Sequence, residues 1–211
     1  MAILLVGCGA GNDPAGLEAI GTAQTDPATP AGTPASERVP CTDGRLLIQD
    51  LSAIDGLWGP GLEAAYEKAM QWHEDARLVG FRVNCELFEP GFRWQATYYS
   101  AEAQALFSTD SGESRPIDVE PDEILSIDVS QLSFHGLRQA LLSYDYPDST
   151  ELQPSTGVDI WVNSTAMPFG PPEASLNQTI AHVSLEFRGE IKDLFIDTAT
   201  SEIFQFASPA R

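Results

Sequence analysis

Val79-Gly80-Phe81-Arg82-Val83-Asn84-Cys85-Glu86-Leu87 alternates apolar side chains with small or polar ones. Successive side chains of a β-strand point to opposite faces of its sheet, so this alternation predicts a strand with one apolar and one polar face. The turn residues Glu89-Pro90-Gly91 end the pattern. A strand with one apolar face needs a covering layer, so the stretch predicts a sheet packed on one side.

The residues around this strand predict a helix followed by a three-stranded meander. A helix behind Gly59-Pro60 is indicated by residues that recur at helical spacing, which are Leu62, Ala65, Tyr66, Ala69 and His73. A second strand is indicated by the alternation of Trp94, Ala96 and Tyr98 with Gln95, Thr97 and Tyr99. A third, short strand at 105–108 ends at the turn residues 109–112.

The same order recurs in the second half of the chain. Ser130 is expected to cap a helix whose apolar face comprises Phe134, Leu137, Leu141 and Tyr144. Alternation then predicts strands around 158–162, 183–187, 191–196 and 202–206. We therefore predict an α+β fold in which residues 41–120 and 121–211 form two successive units, each with one helix on a three- to four-stranded antiparallel sheet. Whether the two sheets stay separate, join or pack together remains open.

The chain before these units has a different composition. Every Trp, Tyr and Phe lies at or after Trp58, and residues 9–40 contain only five charged side chains. Such a segment cannot bury enough apolar surface to offset the entropy lost on ordering. We therefore predict that residues 9–40 form a disordered linker rich in Gly, Ala, Thr and Pro.

Leu5-Val6-Gly7-Cys8 resembles the lipobox of bacterial lipoproteins, in which a cysteine after small residues receives a lipid. The resemblance implies that residues 1–8 are the remnant of a signal and that Cys8 anchors the protein to a membrane of the bacterial cell envelope, facing outside the cytoplasm. Only Ala2 to Val6 precede the motif, whereas a signal needs about 7–15 apolar residues. Either the signal begins upstream of Met1, or Cys8 is an ordinary cysteine.

The two other cysteines, Cys41 and Cys85, are candidates for a disulfide. If Cys8 carries lipid, they remain as a pair in an oxidising compartment, where a bridge would join the start of the folded part to its first long strand. The alternative is two free thiols, because Cys85 would also pack well on the apolar strand face.

Two turn-and-strand segments carry a family resemblance. These are Phe107-Ser108-Thr109-Asp110-Ser111-Gly112-Glu113 and Phe195-Ile196-Asp197-Thr198-Ala199-Thr200-Ser201-Glu202-Ile203. They resemble the strand endings of tandem PepSY-like domains of exported bacterial proteins, in which Asp is followed by a Thr-Gly turn. Gly112 lacks the preceding Thr, and Ser201 stands where Gly is usual. The resemblance implies a non-catalytic exported module that binds or restrains a peptidase.

The charge of the chain argues against one class of partner. It has 31 acidic and 11 basic residues, a net charge of −20. Nucleic-acid binding requires a clustered basic face, and the arginines here are scattered singly. We therefore expect no nucleic-acid partner.

Catalytic and metal-binding motifs are missing from the sequence. It has no Gly-x-Ser-x-Gly, His-Glu-x-x-His or phosphate-binding glycine motif, and the acidic stretch 118–123 lacks the spacing of a calcium loop. His73, His135 and His182 each fit a structural or surface role. We expect no cofactor and no metal, and we favour a non-enzymatic binding protein with an unknown protein or peptide partner. The alternative is an exported hydrolase with an unrecognised carboxylate- or histidine-based site.

Three aromatic residues, Trp94, Tyr99 and Trp161, are candidates for a binding surface. At least one large ring in each unit falls on the outer face of its predicted sheet. These rings could be buried by the other unit or by a helix, since large apolar patches are rarely left open. They could instead line a groove for a peptide or a glycan.

Overall fold

Three α-helices, three 3₁₀ helices of three residues each and eight strands make up the regular structure of the described residues, which are 39–88, 90–118, 120, 124–153, 157–164 and 168–205 of the computed structural model. The helices are α1 (Leu51–Ile54), α2 (Trp58–Trp72) and α3 (Phe134–Ser143). The strands are β1 (Arg77–Cys85), β2 (Phe92–Ser100), β3 (Ala105–Ser108), β4 (Ser114–Pro116), β5 (Val158–Val162), β6 (Thr179–Phe187), β7 (Glu190–Asp197) and β8 (Ile203–Gln205). None of the helices among the described residues has the length and apolar character needed to cross a membrane.

Some sequence predictions lie outside the described residues. The predicted signal remnant 1–8 with its Cys8 is among them, as are residues 9–38 of the predicted linker. Residues 39–205, where described, belong to one compact unit.

All eight strands join in one antiparallel sheet, in the order β4-β3-β2-β1-β5-β6-β7-β8. The α+β class is as predicted, and a helix followed by four strands does occur twice. The prediction of two units, each with its own three- to four-stranded sheet, is wrong, and of the three arrangements left open the two sets of strands join edge to edge. Phe81 of β1 pairs with Ala96 of β2 on one side and with Ile160 of β5 on the other. This pairing satisfies the backbone groups that β1 and β5 would each expose as the edge of a separate sheet.

One face of the sheet packs against the helices and contains the main core. It brings together buried apolar side chains from both halves of the chain, among them Phe81, Val83, Ala96, Phe134, Leu137, Val158, Ile160 and Val183. Helix α2 lies against β2, and α1 lies against α3. The three helices therefore cover a single continuous apolar surface rather than two.

A smaller core lies on the opposite face. Val79, Tyr99, Leu106 and Ile124 form it, with Trp161 and Ile117 packed at its margin. The sequence pattern predicts Val79 on the same face as Phe81, and this is wrong because the register of β1 with β2 shifts between Leu78 and Gly80. Such an irregularity turns the following side chains to the other face. Strand β1 also ends at Cys85, so Leu87 lies beyond it and is exposed.

The cap of helix α3 lies three residues later than predicted. Ser133, and not Ser130, caps it, since the Gly136 amide donates to Ser133 Oγ at 3.0 Å. The amides of Phe134 and His135 both donate to the carboxylate of Asp55, each at 2.7 Å. These bonds satisfy amides that have no partner within the helix, and they fix its start beside the end of α1.

Cys41 and Cys85 form a disulfide with an S–S distance of 2.16 Å. Both cysteines are buried, and they are 44 residues apart in the sequence. The bridge joins the beginning of the described chain to the last residue of the central strand β1.

We predict that removing this bridge destabilises the fold. Closing a loop of 44 residues restricts the unfolded chain and contributes about 4 kcal/mol in the loop-entropy model. A C41A/C85A variant, and the wild-type chain in a reducing agent, should both lose several kcal/mol in the free energy of unfolding measured with urea. A C8A variant keeps the bridge and serves as the control. Equal unfolding midpoints for oxidised and reduced wild-type protein would contradict the prediction.

Candidate ligand-binding groove

An open groove of about 560 Å³ lies on the sheet face away from the helices. Its floor and walls come from strands on both sides of the β1–β5 pairing. The lining residues are Phe81, Arg82, Gln95, Thr97, Leu106, Ser108, Asp110, Arg115, Asp159, Trp161, Pro168 and Phe169. We refer to this site as the groove.

The strand register explains why these side chains meet. Arg82 is directly opposite Gln95 of β2 and Asp159 of β5, and Thr97 is opposite Ser108 of β3. Residues directly opposite each other on neighbouring strands point to the same face. The polar positions of four strands therefore converge on one surface, while their apolar neighbours enter the main core.

An ion pair between Arg82 and Asp159 lies at the centre of the groove. Arg82 Nε donates to Asp159 Oδ1 at 2.6 Å, and Nη2 donates to Oδ2 at 3.2 Å. The Asp159 side chain is only 9% exposed, whereas that of Arg82 is 39% exposed. A guanidinium has five N–H donors, so these two bonds leave others for a ligand. The buried carboxylate thus holds the more exposed guanidinium in a fixed orientation.

Trp161 packs directly on the backbone of β1, where its partner in the strand register is Gly80. A Cβ atom added to Gly80 would lie 2.3 Å from Trp161 Cδ2, 2.4 Å from Cε3 and 2.7 Å from Cε2. The three distances are similar because the face of the indole, and not its edge, covers Gly80. A glycine within a strand often marks such a close approach.

The loop after β5 places a second ring beside Trp161. The Phe169 amide donates to Asn163 Oδ1 at 2.9 Å, and Asn163 Nδ2 donates to the carbonyls of Ala174 and Ser175 at 3.2 and 3.0 Å. Asn163 is buried, so its amide group holds the two arms of the loop together at their root. The Phe169 and Trp161 ring centroids are 6.0 Å apart, with 40° between the ring planes.

The opposite end of the groove is polar and charged. Asp110 accepts a hydrogen bond from Arg93 Nη2 at 2.7 Å. Hydrogen bonds from Arg93 and Gln95 hold the pKa of the Asp110 carboxyl below its ordinary value. Arg115, on the edge strand β4, is exposed at the same end.

Among the described residues, none of the three histidines is arranged as the base of a nucleophilic triad. His182 stacks on Phe195 and lies near two carboxylates, with Nε2 3.3 Å from Asp193 Oδ1 and Nδ1 3.8 Å from Asp159 Oδ2. His135 is exposed at the start of α3. Within the described part of the chain, no serine or cysteine side chain hydrogen-bonds to a histidine ring, as a triad requires.

His73 belongs to a small polar cluster at the end of α2. Its Nδ1 atom lies 3.7 Å from Asp75 Oδ1 and 3.8 Å from Glu102 Oε2. Burial acts to raise the pKa of Asp75, but hydrogen bonds from Ser100 and from the backbone of residues 101–102 outweigh it and leave that pKa below its usual value. These bonds connect the segment before β1 to the turn after β2, so the cluster has a structural role.

The structure does not bring together the three aromatic residues predicted as a binding surface. Trp161 lines the groove, whereas Tyr99 lies on the same face but is fully buried in the smaller core. Trp94 points to the helix side and packs on Gly61, where an added Cβ would lie 2.3 Å from its indole. There it lines a separate pocket of about 470 Å³ beside Leu57.

Sequence reasoning missed four residues that build the groove: Arg82, Asp159, Asn163 and Phe169. Arg82 and Asp159 come from strands that are far apart in the sequence, and only the β1–β5 pairing makes them neighbours. One signal was available in the chain. Gly80 interrupts a strand of larger side chains, which indicates that another group approaches the backbone there.

Comparison with known proteins adds no relative to this description. No family model, curated protein or solved structure matches the chain.

We predict that Gly80→Ala disrupts the packing of Trp161. The added methyl group cannot fit beneath the indole, so the substitution should lower the free energy of unfolding by about 1–3 kcal/mol, as overpacking generally does. In a Trp161→Ala background the space is open, and the same substitution should cost little. Urea unfolding of the four proteins in this double-mutant cycle measures the coupling.

Gly56→Ala provides the matched control, because Gly56 is exposed and a Cβ added there meets nothing within 4 Å. Its backbone does not have the positive φ that favours glycine, so no loss of stability is expected. If Gly80→Ala costs the same with and without Trp161, the packing described above is incorrect.

Proposed function

We propose that this protein is a non-catalytic binding protein whose ligand lies in the groove. One observation carries the proposal. The indole of Trp161 and the guanidinium of Arg82 are both held in place and line the same groove, and the hydrogen-bonding side chains of Gln95, Thr97 and Ser108 line it as well. Ligand sites generally combine apolar walls with a few polar groups that fix orientation.

The charges in the groove support binding without catalysis. Two carboxylates, Asp110 and Asp159, are among its lining residues, and each is bonded to an arginine. A carboxyl that acts as a general acid near neutral pH needs a raised pKa. The lowered pKa of Asp110 is the opposite of this requirement. A hydrolase remains the less favoured alternative, since no arrangement in the groove points to it.

We further propose that the protein is exported and held at a membrane of the cell envelope through lipid on Cys8. The lipobox-like stretch ending at Cys8 motivates this proposal. The Cys41–Cys85 disulfide supports it, because disulfides persist mainly in oxidising compartments outside the cytoplasm. The resemblance to PepSY-like domains adds a peptidase as the proposed protein partner.

Filling the groove tests the binding function. Thr97 is half-buried on its floor, so Thr97→Trp should fill part of the space and abolish binding. Uniformly ¹⁵N-labelled protein would be titrated with short peptides, oligosaccharides and fatty acids while the indole N–H signals are followed by NMR. A groove ligand should shift the Trp161 signal in the wild-type protein and not affect the filled variant.

Gln139→Trp is the control for this experiment, because Gln139 is exposed on α3, on the helix side of the sheet. It should bind like the wild-type protein. Binding that survives Thr97→Trp, or the absence of any probe that shifts the Trp161 signal, would refute the proposed function.

The lipid anchor has its own test. Intact-mass measurement of the protein from the membrane fraction of its native cells should reveal a chain that begins at Cys8 and carries lipid, because cleavage precedes that cysteine in lipoproteins. A Cys8→Ser variant should leave the membrane fraction. Recovery of a chain that retains residues 1–7 with an unmodified Cys8 would rule out the anchor.

A further inference from the structure

We infer that the ligand of the groove is an uncharged oligosaccharide, with one sugar ring stacked on the indole of Trp161. This inference rests on the proposed binding function and specifies its ligand class.

The aromatic surface has the shape that a sugar ring requires. A pyranose ring has faces formed by C–H groups and a rim of hydroxyl groups. One face of the Trp161 indole covers Gly80, so the ring lies along the strand and its opposite face is directed away from the sheet. Phe169, inclined by 40° to the indole, forms a second wall beside it. A flat apolar ring face packs on such a surface, and aromatic side chains provide much of the contact energy in binding sites.

The polar floor suits hydroxyl groups. Gln95, Thr97 and Ser108 are half-buried in the groove, and each can both donate and accept a hydrogen bond. Sugar hydroxyls also have both capacities, so either direction of bonding is satisfied. The donors that Arg82 does not use for Asp159 add a fixed group that binds an oxygen atom.

The charges favour a neutral ligand. The groove is lined by two arginines and two aspartates, although the whole chain has a net charge of −20. A polyanion would be repelled by the surrounding protein. A cation would need a free carboxylate, but Asp159 and Asp110 are bonded to Arg82 and Arg93.

The strand pairing argues against an extended peptide as the ligand. The floor strands β1, β2 and β5 are hydrogen-bonded on both sides, and the edges of the sheet are β4 and β8. A peptide on the floor could not add its backbone to the sheet, which is the common way of binding an extended chain. Its N–H and C=O groups would depend on a few side chains for hydrogen bonds.

NMR titration of the full chain with neutral hexasaccharides tests the inference. The probes are linear oligomers of glucose, N-acetylglucosamine, xylose, mannose and galactose. At least one should shift the Trp161 indole N–H signal, which is assigned by its loss in Trp161→Phe. The backbone amide signals of Gln95 and Thr97, which line the groove, report binding to the variants that lack this indole. Trp161→Ala should weaken that binding at least tenfold, whereas Trp161→Phe keeps a flat ring and should stay within a few fold of the wild type. Trp94→Phe, in the separate pocket, is the matched control and should bind normally.

Each outcome separates this inference from the proposed function. If peptides, fatty acids or anionic probes shift the Trp161 signal and no neutral hexasaccharide does, the saccharide inference is overturned and the binding function stands. If no probe of any class shifts that signal, both fail. If a hexasaccharide binds equally well to Trp161→Ala and to the wild type, the assigned stacking is wrong.

Discussion

The antiparallel pairing of β1 with β5 is the contact on which the other features of this fold depend. It joins two sets of four strands into one sheet, and it sets Phe81 opposite Ile160 in the core beneath the helices. The same register sets Arg82 opposite Asp159 on the other face. A shift of one residue would exchange the two faces, so the core and the groove are specified together.

The two faces of the sheet differ because the helices cover only one of them. On that face the large aliphatic side chains of the core are buried beneath the helices, and a smaller pocket of about 470 Å³ lies beside Leu57. The other face is covered in part by the smaller core and by the loop that carries Phe169. The uncovered remainder is the groove, which explains why its floor is polar while its walls are aromatic.

Local sequence patterns predicted the individual helices and strands, but they could not predict which strands pair across long distances in the sequence. The alternation around Phe81 and the helical spacing around Leu137 both correspond to observed elements. The joining of the sheets could not be predicted, since alternation identifies the buried face of a strand and not its neighbour. Val79 deviates from its pattern because of an irregularity in register. Of the groove residues, the sequence pattern identified Trp161 alone. The others become its neighbours only through the β1–β5 pairing and through a loop held by Asn163.

The Cys41–Cys85 bridge also determines how the domain carries mechanical load. A pulling force applied to the N-terminal end of the chain reaches Cys41 before any strand, and the covalent bond passes it to the end of β1. The segment between the two cysteines, which comprises α1, α2 and β1, is thereby closed into a covalent loop that this force cannot extend. The force continues from Cys85 into the turn before β2, while the central strand β1 stays inside the closed loop. A domain pulled from that end would lengthen only through the chain that follows Cys85.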